Sequence, residues 1–277
     1  MRTYQNLFSV LTVIALLFVI SGCGTTAGSA GSPVAGASPT PNPNPSASPS
    51  PTPSSTPANT TVLNNVEDSP DWLTCGACGN TGGTGAIANL SFTPGMASPS
   101  EDGRSTQFAI AATVPFNNGY FYRQQTAITH QINALTYSFD IYIPAGMETA
   151  PQAIEFECQQ VLDGWVYNFS WQALYPGSQW RIFDYGLKRW DSTPLNFTHF
   201  TPGTWHHIMA EYHNDTTAHT LIHDALTVDG VRFPVNITHN AFFSGGRNQF
   251  TNAVQLDSNS TPTPYNISVD DMTITYQ

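Results

Sequence analysis

Two glutamates stand two positions apart in the stretch PQAIEFECQQ, residues 151–160. Polar and apolar residues alternate there, and successive side chains of a strand point to opposite faces. The apolar members therefore belong in a core, and three polar side chains share the outward face: Glu155, Glu157 and Gln159. Two such carboxyl groups can divide acid–base catalysis, contact sugar hydroxyls, or lie solvated on an ordinary strand. All three interpretations remain open from this stretch alone.

The next segment, WVYNFSWQALY, shows a second alternation that bears on the choice. Its aromatic row indicates a core face, because aromatic side chains bury the most area in a sandwich. The opposite row is polar and contains Asn168, Ser170 and Gln172. Amides beside carboxyl groups suit glycan recognition, because each can hydrogen bond to two hydroxyls. Asn168 and Gln172 therefore join the two glutamates and Gln159 in the predicted sugar-binding set.

The segment QWRIFDYGLKRW supplies rings that could stack on a sugar. We expect Trp180 to provide this stacking surface. Arg181, Tyr185 and Trp190 are further candidates, and the alternative is that all of them pack as loop residues against a sandwich edge.

These residues need strands to position them, and strands are what the rest of the chain predicts. From Gln107 onward, short alternating runs are separated by turn residues in patterns such as NNGY, YPGS and HNDTTA. No segment has a convincing helical period. The sequence therefore predicts an all-β, two-sheet antiparallel sandwich or jelly roll over residues 60–277.

Two blocks resemble a known fold. FTPGTWHHIMAEYHNDTTAHTLIHDALTVDGVRFPV resembles the tryptophan-containing strand, hairpin and DG turn of laminin-G-like and concanavalin A-like domains. YNISVDDMTITYQ is similar to their closing strand. The resemblance implies a jelly roll with one convex and one concave sheet, whose concave face meets glycans.

Residues 155–159 also resemble the Glu-x-Asp-x-Glu strand of laminarinase-like glycoside hydrolases. Glu155 matches the nucleophile, Glu157 stands for the assisting aspartate, and Gln159 replaces the acid/base. An amide cannot protonate a leaving sugar oxygen, so the family's mechanism does not carry over unchanged. Hydrolysis would need both glutamates to divide the roles, or a carboxylate from another strand such as Asp140 or Asp184. We therefore predict a carbohydrate-binding domain, with a glycoside hydrolase or polysaccharide lyase and a structural or adhesion module as alternatives.

The N-terminus carries a targeting segment. A charged residue, an apolar run and small residues fill positions 1–22, which is typical of an export signal. Ile20-Ser21-Gly22-Cys23 resembles the lipobox of bacterial lipoproteins, which implies cleavage before Cys23 and its lipidation. Residues 23–59 are rich in Pro, Ser and Thr and predict a disordered tether. We expect a lipid-anchored, extracytoplasmic protein of the bacterial envelope, on the outer membrane or cell surface.

The net charge of the chain limits the classes of macromolecule that it could bind. Eight Lys and Arg against nineteen Asp and Glu give a formal net charge of −11. Such a balance disfavours nucleic acid, and a polysaccharide remains the expected partner.

Cysteines and possible metal ligands complete the predictions. Cys75 and Cys78 indicate a local disulfide, with a bond from one of them to Cys158 as the alternative. A histidine-rich hairpin would place His213 opposite His219, near enough to share a metal ion. No cofactor is required by the sequence, but calcium is common in concanavalin A-like domains. Its candidate oxygen ligands here are Asp257, Asp270 and Asp271.

Overall fold

The computed structural model describes residues 60–76, 88–125 and 128–277. Within these ranges all regular secondary structure is β-strand, and no helix is present that could cross a bilayer. The sixteen strands are β1 Thr61–Leu63, β2 Leu73–Cys75, β3 Asn89–Met96, β4 Ser105–Ala111, β5 Asn118–Gln124, β6 Ala134–Tyr142, β7 Pro151–Leu162, β8 Gly164–Leu174, β9 Gln179–Asp184, β10 Arg189–Asn196, β11 Trp205–Asp215, β12 Thr220–Val228, β13 Val231–Asn240, β14 Phe242–Gly246, β15 Gln249–Ser258 and β16 Tyr265–Tyr276.

The strands form two antiparallel sheets. Sheet 1 has the order β13-β12-β11-β6-β16-β4-β3, with β1 added on β16. Sheet 2 has the order β10-β9-β8-β7-β15-β5-β2, with β14 added on β8. The predicted all-β, two-sheet antiparallel jelly-roll sandwich is confirmed.

The core lies between the sheets and follows the period-two pattern of the strands. Phe139 of sheet 1 meets Phe156 of sheet 2 with ring centroids 4.4 Å apart. In β8 the aromatic row predicted for the core is buried at Tyr167, Phe169 and Trp171. This burial fixes the outer face of β7 and β8, because every second residue must then point away from the core.

The β11–β12 hairpin differs in register from the prediction. Asp215 pairs with Thr220 and His213 pairs with Ile222, so His213 does not lie opposite His219. The Asp215 carboxylate accepts hydrogen bonds from the backbone N–H groups of Thr217 and Ala218, which holds the turn at this length. The predicted placement of His213 opposite His219 is therefore wrong, and with it the metal site that this placement would have allowed.

Three of the four outermost strands contain a proline. Pro94 lies in β3, Pro194 in β10 and Pro234 in β13, and the fourth outermost strand, β2, has three residues. Proline has no backbone N–H, so it interrupts the row of donors that an edge strand presents.

Several N-terminal and cysteine predictions fall outside the described residues. The export signal, Cys23 and the tether lie in residues 1–59, and Cys78 lies between the described ranges 60–76 and 88–125. The signal, the lipidation, the tether and the local disulfide therefore stay predictions. Cys158 is a free cysteine buried in the core. The alternative disulfide to Cys158 is therefore wrong.

Candidate functional site

A groove of about 600 Å³ opens on the outer face of sheet 2. Six neighbouring strands contribute to it, because their outward side chains all face the same side of the sheet. The lining residues are Phe116, Asn118, Tyr120, Gln152, Glu155, Glu157, Gln159, Asn168, Gln172, Leu174, Arg181, Phe183, Tyr185, Trp190, Gln255 and Asp257.

The pairing of β7 with β8 brings the predicted polar residues together. Glu155 pairs with Gln172, and Gln159 pairs with Asn168, with Glu157 between the two pairs. All five line the groove. Their convergence was predicted from the two alternations, while their binding role remains a prediction.

One polar row crosses the whole groove from strand to strand. Arg181, Gln172, Glu155, Gln255 and Tyr120 are consecutive register partners on β9, β8, β7, β15 and β5. Gln172 Nε2 donates to Glu155 Oε1 at 2.6 Å, and both side chains are buried at the groove floor. The row offers a ligand donors and acceptors in a fixed line.

Three carboxyl groups share the floor of the groove: those of Glu155, Glu157 and Asp257. Burial, together with the charges of Asp257 and Glu157, raises the pKa of Glu155 well above its usual range. Burial also raises the pKa of Glu157 to about 7 and that of Asp257 to about 6. The cluster therefore retains protons near neutral pH, and its carboxyl groups can donate as well as accept hydrogen bonds.

Neighbouring side chains hold these carboxyl groups in place. Tyr120 donates its hydroxyl to Glu157 Oε2 at 3.4 Å, and Gln255 Nε2 donates to Asp257 Oδ1 at 2.9 Å. The groove role of Asp257 was not predicted. A signal was present in the segment AVQLD, where Gln255 and Asp257 alternate with two apolar residues.

Aromatic side chains form one wall. Phe183, Tyr185 and Trp190 line the groove, and the rings of Phe183 and Trp190 lie 5.1 Å apart. The Arg181 guanidinium carbon lies 6.0 Å from the centre of the Trp190 ring, which is the outer range of a cation–π contact.

Trp180 does not belong to this wall, and its predicted stacking role is wrong. It is 3% exposed and packs edge-on against Phe197, with ring centroids 5.1 Å apart. The physical reason is the alternation of β9, which turns Trp180 and Ile182 inward and leaves Arg181 and Phe183 outward.

Neither Asp140 nor Asp184 contributes the additional carboxylate that was considered for the groove. Asp140 lies in sheet 1, where His207 Nδ1 is 3.0 Å from its Oδ1. Asp184 is buried at the end of β9, on the same inner face as Ile182.

The three predicted calcium ligands are divided between the two sheets. Asp257 lines the groove on β15, whereas Asp270 and Asp271 lie in β16 of sheet 1, so the three cannot share one ion. Carboxylate oxygens of Asp270, Asp271 and Asp102 lie within 4.8 Å of one another. Calcium at Asp270 and Asp271 stays a prediction, without Asp257.

Comparison with known proteins adds a likeness of fold. No protein-family model matches the sequence, and no characterised protein matches it in sequence. Similar solved structures include arcelin-5, a lectin-like defense protein from Phaseolus vulgaris, at 10% identity over 79% of this chain and 99% of that one, with a TM-score of 0.45. Peanut lectin is 13% identical over 79% and 98%, with a TM-score of 0.45.

A carbohydrate esterase from the Shiga toxin-encoding bacteriophage phi24B is also similar in fold. It is 11% identical over 79% of this chain and 100% of that chain, with a TM-score of 0.44. The structure defines the class of the protein as an antiparallel β-sandwich with an open polar groove on one sheet.

Proposed function

We propose that the protein binds a polysaccharide in the groove of sheet 2. The observation that carries the proposal is the joining of a polar floor to an aromatic wall in one open channel. A pyranose ring presents hydroxyls at its edge and C–H groups on its faces. The Gln172–Glu155–Gln255 row suits the hydroxyls, and Tyr185 or Trp190 suits a C–H face.

The charge of the groove favours a neutral glycan. Three carboxyl groups line it, and Arg181 is the one Lys or Arg among the described lining residues. An acidic polysaccharide would meet like charge as the carboxyl groups ionise. We therefore place neutral β-glucans and xylans ahead of alginate.

Affinity electrophoresis in gels containing laminarin, xylan or alginate tests this proposal. We expect a neutral glycan to retard the protein, and Trp190→Ala and Gln172→Ala to weaken binding by about tenfold each, which corresponds to about 1.4 kcal/mol. Phe233→Ala is the control, because Phe233 is exposed on β13 of the opposite sheet. Failure of every glycan to retard the protein would support the structural or adhesion alternative.

Glycan hydrolysis is a second candidate, favoured by the position of Asp257. A carboxylate from another strand was one of the two conditions set for hydrolysis, and Asp257 of β15 lies beside Glu155 of β7. Acid-assisted glycoside cleavage uses one protonated and one ionised carboxyl group, and the raised pKa values of Glu155 and Asp257 allow that combination. Lyase chemistry has no observation of its own in this groove.

Reducing-end release from the glycan that binds separates the two functions. If the protein is a hydrolase, Glu155→Gln and Asp257→Asn should abolish release, while gel retardation is only weakened because each amide keeps hydrogen-bonding groups in the groove. Absence of release by the unaltered protein would leave binding as the function.

We also propose that the domain is exported and held on the bacterial envelope by lipid on Cys23. The support is the sequence of residues 1–59, in which a tether of up to roughly 100 Å would follow the lipid. Cys23→Ser should move the protein from the membrane fraction to the soluble fraction. Equal membrane retention of both forms would contradict the anchor.

A further inference from the structure

An acid–histidine cluster lies inside the sandwich, where outermost strands of the two sheets come into contact. Asp184 ends β9 and Asp191 lies in β10 of sheet 2, and His239 lies in β13 of sheet 1. One carboxylate oxygen from each aspartate and one ring nitrogen of His239 all lie within 4.8 Å of one another. The cluster is separate from the groove on the opposite face of sheet 2.

The register places all three side chains on inner faces. Asp184 follows Ile182 by two positions, and Asp191 is the register partner of Ile182. His239 is the register partner of Leu221. Ile182 and Leu221 are both buried in the core. Three positions that a sandwich ordinarily fills with apolar residues are therefore occupied by groups that bind metals.

Two of the three members of the cluster are buried, and its hydrogen bonds are incomplete. Asp184 is 9% exposed and His239 is 7% exposed, whereas the side chain of Asp191 is 29% exposed. Nε2 of His239 lies 3.4 Å from Asp191 Oδ2, and Nδ1 has no partner in the described part of the chain. Two aspartates so close together repel each other when ionised, and buried charges are normally paired or bound to a metal.

Neighbouring groups orient the carboxylates from outside the cluster. The Leu187 N–H donates to Asp184 Oδ1 at 2.9 Å, and Arg189 Nε lies 2.8 Å from Asp191 Oδ1. Arg189 is largely exposed, so solvent screens much of its charge.

A second buried histidine packs behind the cluster. His223 is fully buried, and its ring centre lies 5.4 Å from that of His239. Neither ring nitrogen of His223 has a partner among the described residues.

We propose that Asp184, Asp191 and His239 bind a divalent ion of the zinc class. Imidazole together with carboxylate is a donor set that zinc accepts, whereas calcium and magnesium prefer oxygen alone. The ion joins sheet 2 to sheet 1 at this edge and stabilises the folded state by binding to it. Water completes its coordination.

The test titrates Zn²⁺, and separately Ca²⁺, into chelator-treated protein by calorimetry and follows Tm. We expect about one Zn²⁺ per chain at this site and a Tm that rises with Zn²⁺ concentration. His239→Gln and Asp191→Asn should each weaken zinc binding at least tenfold, while circular dichroism shows that both remain folded. His213→Gln is the matched control, because it removes an exposed histidine that contacts Asp224 at 2.7 Å.

Two results would overturn the proposal. If the unaltered protein takes up no Zn²⁺, the contact between His239 and Asp191 is an ion pair only. If both variants bind Zn²⁺ as tightly as the unaltered protein, the ion lies elsewhere. As an independent readout, Co²⁺ bound at the site should give a visible absorption band that His239→Gln alters and His213→Gln does not.

Discussion

Burial of Asp257 in the groove should make the protein less stable as the pH rises, and replacing Asp257 with asparagine should remove this loss of stability. Burial raises the pKa of Asp257 from 3.8 to about 6. The folded protein thus holds this proton more tightly than the unfolded chain does. The resulting stabilisation is fully present below pH 3.8 and is lost as the pH rises through about 6.

The size of the effect follows from the two pKa values. A tenfold difference in proton affinity is worth 1.36 kcal/mol, so the change from 3.8 to about 6 amounts to about 3 kcal/mol. Asp257 is 7% exposed, so solvent screens little of this energy. Asparagine does not titrate, and its carbonyl oxygen can still accept the hydrogen bond from Gln255. The difference in unfolding free energy, variant minus unaltered protein, should therefore grow by about 3 kcal/mol between about pH 3.5 and about pH 7.

Urea unfolding at a series of pH values, followed by tryptophan fluorescence, measures this difference. Asp163→Asn is the control, because Asp163 is exposed at the β7–β8 turn in a left-handed conformation that asparagine tolerates. The growth of the difference with pH should be larger for Asp257→Asn than for this exposed control, because only Asp257 is buried in the groove. A constant or shrinking difference for Asp257→Asn would refute the claim that groove burial favours the protonated acid.

Three further predictions test the interior. Trp180→Ala should lower the free energy of unfolding by about 3–5 kcal/mol, whereas Trp190→Ala on the groove wall should lower it by less than about 2 kcal/mol. Equal losses in urea titrations would contradict the assignment of Trp180 to the inner face and Trp190 to the outer face. His223 has its pKa lowered from 6.5 to about 3, so the stability it contributes is present above pH 6.5 and is lost as the pH falls toward 3. His223→Phe should flatten this acid-side loss in the same titrations, and an unchanged slope would count against a neutral buried ring. Cys158 is fully buried and burial raises its pKa, so iodoacetamide should label it in urea but not in the native protein, as mass spectrometry would show.

The groove floor was accessible from sequence because two adjacent strands alternate cleanly. Once the apolar residues of β7 and the aromatic row of β8 are assigned to the core, the faces of Glu155 and Gln172 follow without knowledge of the topology. The all-β class followed in the same way from the spacing of turn residues.

The wall was harder to predict because β9 has large side chains on both faces. Trp180 and Ile182 point inward, while Phe183 points outward beside Arg181. Hydrophobic alternation cannot choose between two faces that are both apolar.

Long-range topology accounts for the remaining errors. Asp257 and Asp270 stand on strands that follow each other in the chain, yet β15 and β16 belong to different sheets. The local alternation of polar and apolar residues does not show that the chain passes from sheet 2 to sheet 1 between these two strands. The register of His213 depends on where the β11–β12 turn closes, and each residue of error there shifts its partner by one position.

The prolines of the outermost strands affect how neighbouring copies of the protein interact when they are crowded together. Edge strands that lack a complete row of donors are poor templates for pairing with a second copy. If the proposed lipid anchor holds many copies side by side on one surface, they should thus stay separate molecules, each with its groove unobstructed. Dense display would then raise the number of independent contacts with a long polymer, and so the avidity of the whole layer.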